Sequence, residues 1–134
     1  MTPGLPEADL AVLLRALRPR LVDGEFVFVT VDGPSPPADL EVHASVREVE
    51  GLSVAIARAD ADRRYLGYDH VAAWITLEVH SPLAAVGLTA AVSRALAEVD
   101  ISANVIAGHH HDHLLVPADR AADAMAALEA LSRG

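Results

Sequence analysis

Four histidines and an aspartate crowd into residues 109–113, read as His109-His110-His111-Asp112-His113 directly after Gly108. Imidazole suits zinc, copper or nickel, and a locally extended run would put His109, His111 and His113 on one side. Against a resident ion stand the lack of cysteine, the lack of a His-Glu-x-x-His pattern, and a turn in which alternate side chains diverge. Adventitious nickel or zinc fits such a run better than a built site. Asp112 with a neighbouring histidine and Ser81 or Ser102 would supply the groups of a nucleophilic hydrolase. No Gly-x-Ser-x-Gly elbow is present, however, and nothing holds three groups in line. A third chemistry is anion capture at Ser81–Gly87, which the pattern places at a helix start: Ser81 offers a capping hydroxyl and Pro82 suits the first helical position.

The elements that must position these residues read as β-α-β-β-α over residues 73–134. Trp74–His80 alternates, with Ile75, Leu77 and Val79 on one face and Thr76, Glu78 and His80 on the other, which predicts a strand with one buried face. Ala85, Leu88, Val92, Ala95, Leu96 and Val99 form the stripe of a half-buried helix opposite Arg94 and Glu98. Gly87 falls away from that stripe, so another backbone or a ligand could approach it. Ile101–Ala107 reads as a strand, with Asn104 facing away from Val105. The chain reverses at Gly108–His113 and returns as Leu114-Leu115-Val116. Pro117 opens a last helix, with Ala121, Ala124, Met125, Leu128 and Leu131 as its core stripe.

The first half is less regular. Leu10, Leu13, Leu14, Leu17 and Leu21 recur at helical spacing, with Pro6 just before the stripe and Pro19 near its end. Glu25–Val31 is rich in β-branched and aromatic residues, hence a central strand. Asp32–Pro37 is a loop, Val42–Glu48 and Leu52–Arg58 form a hairpin about Glu50-Gly51, and Ala59–Leu66 is a short charged helix. His43 and His80 fall on sheet faces and His70 in a loop. Each half thus carries a strand followed by a hairpin and a helix, a duplication visible in pattern only.

Composition narrows the partners. The chain has 134 residues, 52% of them apolar, which is enough for a real core. A net charge of −9 disfavours nucleic acid and anionic lipid, and no run of arginines relieves it: Arg63-Arg64 is flanked by Asp60 and Asp62. No apolar run approaches the roughly 20 residues of a membrane span, and no signal peptide is visible. The absence of cysteine excludes disulfide and thiolate chemistry and fits a cytoplasmic location. All ten basic residues are arginine and alanine is abundant, which reads as the bias of a GC-rich bacterial genome.

Several stretches together resemble a small bacterial family of ACT-domain proteins. They are Val46–Ser53, Val79–Val92, Asn104–Gly108 and His111-Asp112-His113-Leu114-Leu115-Val116-Pro117, the last being the most specific. The likeness covers about residues 8–133, and the histidines at 109 and 110 depart from it. It implies an α+β, ferredoxin-like fold of two ACT-like units in tandem sharing one compact core. Residues 1–70 would form an N-terminal helix plus an incomplete unit, and residues 71–134 a complete one. ACT units are regulatory modules that bind amino acids or similar effectors, commonly where two units meet.

The resemblance further implies that Asp112 contacts the ligand and that the backbone of the 81–87 loop receives its carboxylate. The site expected is therefore Ser81, Pro82, Leu83, Val86, Gly87, Asn104, Gly108, His111, Asp112 and His113. The function expected is non-enzymatic binding of a small effector, an amino acid, with no cofactor and with homodimerisation by strand-edge pairing compatible. A metal site at His109, His111 and His113, or a purely oligomerising module, are the alternatives.

Overall fold

Hydrophobic alternation and helical stripes resolve into seven strands and four α-helices among the described residues of a computed structural model, residues 9–79 and 85–134. The contacts divide the chain into two units, Asp23–Ala72 and a discontinuous one made of Met1–Val22 with Ala73–Gly134.

In the unit of residues 23–72, β2 (Phe26–Val31) pairs antiparallel with β4 (Gly51–Ala57), and β4 with β3 (Ala44–Glu48). The hairpin closes with Glu48 opposite Gly51, as the Glu50-Gly51 turn predicts. Val27, Val29 and Val31 stand opposite Ile56, Val54 and Leu52, and these six with Leu40 and Ala61 make the core. The helix α2 (Arg58–Arg63) closes it. Arg58 donates to Glu25 and to the Tyr68 hydroxyl, which in turn donates to Asp62.

The other unit holds α1 (Leu10–Ala16), β1 (Arg18–Leu21), β5 (Ala72–Glu78), α3 (Leu88–Glu98), β6 (Asn104–Ala107), β7 (Asp112–Pro117), a 3-10 turn (Ala118–Arg120) and α4 (Ala121–Arg133). Its strand order is β1-β5-β7-β6. In a β-α-β-β-α-β fold a fourth strand would run beside the first; here β1, from far earlier in the chain, lies antiparallel to β5 instead. The helices α1, α3 and α4 pack together, and Leu88, Val92, Leu96, Leu114, Val116, Ala124 and Leu128 meet in the core.

Several expectations change. The leucine stripe is not one helix to Leu21: α1 ends at Ala16, Leu17 turns extended, and Arg18–Leu21 is a strand. Pro19 cannot continue a helix but is tolerated at an outer strand, here opposite Leu77. Strand β5 is buried on both faces from Ala72 to Leu77, not on one, because Trp74 and Thr76 are covered as well as Ile75 and Leu77. Pro117 ends β7 rather than opening the last helix. Each unit has its own buried cluster. By contacts, the segment before Asp23 groups with Ala73–Gly134, because α1 packs on α3 and α4 while β1 pairs with β5.

Candidate functional site

The hairpin that carries the histidines is fixed by pairing. Asn104, Val105, Ile106 and Ala107 oppose Leu115, Leu114, His113 and Asp112, leaving residues 108–111 as the turn. The Gly108 N–H donates to the His111 carbonyl at 2.9 Å and closes it. A side chain at Gly108 would meet that carbonyl oxygen at 2.8 Å and His113 Nε2 at 3.3 Å, so only glycine fits. Asp112 and His113 therefore open β7 and lie just beyond the turn that was expected to hold them.

His113 is the anchor of this end. Its Nδ1 lies 3.3 Å from Trp74 Nε1 and 3.0 Å from the Thr76 hydroxyl. Indole N–H is a donor only, so Nδ1 accepts and the ring proton sits on Nε2. Burial holds the imidazole below its usual pKa; His111 and, more weakly, Arg20 push the same way, while Asp112 opposes them. Thr76 is a buried polar residue, and this contact is what satisfies it. Because His113 meets Thr76, the start of β7 stands beside the end of β5, from which the chain leaves toward α3.

The helix start differs from the expected one. Ser81, Pro82 and Leu83 lie outside the described residues, and α3 begins only at Leu88 with Gly87 as its N-cap. Gly87 has φ 105°, the left-handed region, and no side chain of the described residues caps the helix. What approaches Gly87 is the side chain of Leu10, 2.9 Å from where a Cβ would be. A cleft of about 430 Å³ opens there, lined by Leu10, Gly87, Ala91, Arg94, Glu98 and Leu131 among others, and not by Asp112. Val86, just before it, is exposed.

The other expected members separate. Asn104 sits at the far end of the hairpin, three positions from Ala107 and so roughly 10 Å along the strand. His109 and His110 are exposed and stack edge to face with centroids 4.7 Å apart. His111 Nδ1 is buried with no hydrogen-bond partner. His109, His111 and His113 form no ligand set: among the described residues no group of three or more His, Asp or Glu could hold a metal ion. Trp74 and Thr76, which position His113, were missed as site residues. Their signal was legible, since they share strand parity opposite Ile75 and Leu77, and a polar pair on a strand bordered by core needs a partner.

Comparison with known proteins now gives the fold a family. Residues 5–73 and residues 70–130 each match an ACT-domain family. No curated protein matches. Among solved structures, a Vibrio cholerae protein of unknown function, described as a possible transport protein, is 43% identical. It aligns over 92% of this chain and 95% of its own with a TM-score of 0.82. A protein from Agrobacterium tumefaciens is 18% identical with a TM-score of 0.65, over 87% of this chain and 89% of its own. The ligand-free regulatory subunit of aspartate kinase from Thermus thermophilus is 12% identical with a TM-score of 0.63, over 84% and 95%. The last two likenesses speak to the fold. With both halves matched in succession, the chain belongs to the ACT-domain family, as a tandem of two small-molecule-binding regulatory domains.

Proposed function

We propose that this protein is a non-enzymatic cytoplasmic sensor of a free amino acid that works as a homodimer. The observation that carries the reading is the placement of Asp112. It opens β7 at the end of the sheet where β5 gives way to α3, with His113 locked against Trp74 and Thr76 behind it. An ammonium group would pair with the Asp112 carboxylate. The ligand carboxylate would meet the first turn of α3, whose N–H groups have no side-chain cap among the described residues and whose dipole favours an anion. Among the described residues the donors are the N–H groups of Gly87–Ala90. Binding only the folded state stabilises it by about 2.7 kcal/mol at a hundredfold excess over Kd, and biases whichever assembly presents the site.

A thermal-shift screen against the standard amino acids tests this. One amino acid raises Tm in the native chain, and Asp112→Asn abolishes the rise while leaving the unliganded Tm within a degree or two. Unchanged affinity in Asp112→Asn refutes the ammonium contact, and no shift with any amino acid refutes the effector class.

A further inference from the structure

Acids outnumber arginines 19 to 10, and among the described residues five of the arginines are taken up in ion pairs. Arg20 pairs with Glu78, Arg58 with Glu25 and Asp62, Arg63 with Asp60, Arg64 with Asp39, and Arg120 with Asp123. Arg15, Arg18 and Arg133 make no carboxylate pair among the described residues, yet the fold gathers them. Arg15 lies in the last turn of α1, Arg18 opens β1 and Arg133 ends α4. They border two clefts of about 400 and 390 Å³ that have Arg15, Ser132 and Arg133 in common. Leu14 and Leu131 wall the first cleft; Arg18 and Glu129 belong to the second. Sequence reading found no arginine cluster because these three lie more than a hundred residues apart at the extremes and meet only through α1–α4 and α4–β1 packing.

Arg18 is already held in place. Its Nη1 donates to the carbonyls of Arg15 at 3.0 Å and Leu17 at 2.8 Å, closing the end of α1, while Nε and Nη2 make no hydrogen bond among the described residues. Helix ends favour cations, which accounts for Arg15 and Arg133 singly. It does not account for three arginines bordering shared clefts with a single side-chain carboxylate, Glu129, and no ion pair among the described residues, in a chain of net charge −9. Like charges so gathered repel unless an anion lies among them. Guanidinium forks match phosphate and carboxylate groups two bonds at a time, and clefts of this size suit small ligands.

We propose that Arg15, Arg18 and Arg133 form a second binding site, for a small multiply charged anion whose apolar part lies on Leu14 and Leu131. The site uses none of the residues assigned to the amino acid, so either can fail alone.

The full chain is titrated with inorganic pyrophosphate and with citrate, each against sodium chloride at equal ionic strength. Tm rises with one or both over the chloride control, and NMR places the perturbation on the Nε–Hε signals of these three arginines. Preference for pyrophosphate assigns a phosphate ligand, preference for citrate a carboxylate one. Arg15→Ala/Arg133→Ala weakens the apparent Kd at least tenfold, and exposed Arg133→Gln alone, which spares the fold, weakens it severalfold. A shift that chloride reproduces, one that the variants retain, or perturbation elsewhere overturns the proposal.

Discussion

Trp74 donates its indole N–H to His113 Nδ1 across 3.3 Å, and the Thr76 hydroxyl reaches the same nitrogen at 3.0 Å. Two donors on one ring nitrogen keep that nitrogen unprotonated. A cation at His113 would have to place a second N–H against them, in a site that burial already makes unfavourable for charge.

The pH dependence follows in sign. Folding lowers the His113 pKa from its ordinary 6.5, so the folded state binds fewer protons. This contribution is complete above the unfolded value and is lost as pH falls through 6.5 toward the folded value. NMR titration of the His113 ring is expected to show a midpoint below 6.5 and a neutral Nε2–H tautomer. His113→Gln is expected to remove part of the fall in Tm on acidification. A midpoint at or above 6.5 contradicts the assignment.

Replacing Thr76 by valine keeps the shape and deletes the hydroxyl. The buried ring nitrogen then keeps one donor of its two, and stability is expected to fall by about 1 kcal/mol in urea unfolding. Thr76→Ser, which retains the hydroxyl, should lose less of the hydrogen bond. Equal stability of Thr76→Val and the parent would mean that the contact contributes nothing.

Gly87→Ala combines two costs. The left-handed backbone opposes any side chain by about 1–2 kcal/mol, and the new Cβ runs into Leu10. Adding Leu10→Ala relieves the second cost and leaves the first. A double-mutant cycle should therefore show coupling between positions 10 and 87 of about 0.5–1 kcal/mol, and additive effects would argue that the two do not meet.

Tyr65 offers a gain. It follows α2 at φ 55° with its side chain almost wholly exposed, while Leu66 N–H donates to the Ala61 carbonyl and Tyr65 N–H to that of Asp62. This is the helix-ending arrangement that usually employs glycine. Tyr65→Gly is expected to raise stability by about 0.5–1 kcal/mol after allowing for the freer unfolded chain. A lower urea midpoint would show that the exposed ring makes contacts of its own.

Elements governed by local pattern were legible: the Gly51 hairpin, the Leu88–Leu96 stripe and the Leu128 helix all follow from spacing. The ACT fold was legible as a resemblance spread over several stretches of the chain. What local pattern could not show was decided at a distance. Leu17 and Leu21 keep helical spacing, yet Leu21 pairs with Ile75, a partner more than fifty residues on. The onset of α3 moved because a glycine in a left-handed conformation, touched by Leu10, caps it in place of a serine with a proline after it. At the candidate site, Asp112 and His113 could be nominated from their neighbours in the chain. Their support from Trp74 and Thr76, and the clefts that Arg15 and Arg133 both line, required the tertiary fold.

Because Arg18–Leu21 lies along Glu78–Ile75, dissecting the gene at codon 71 would not release a self-sufficient half. The product would present one flank of an apolar strand with its amides and carbonyls open to other molecules, the usual starting point for insoluble aggregates. A soluble version of that half calls for rewiring, with the segment from Asp9 to Val22 appended after Gly134 through a short flexible joint.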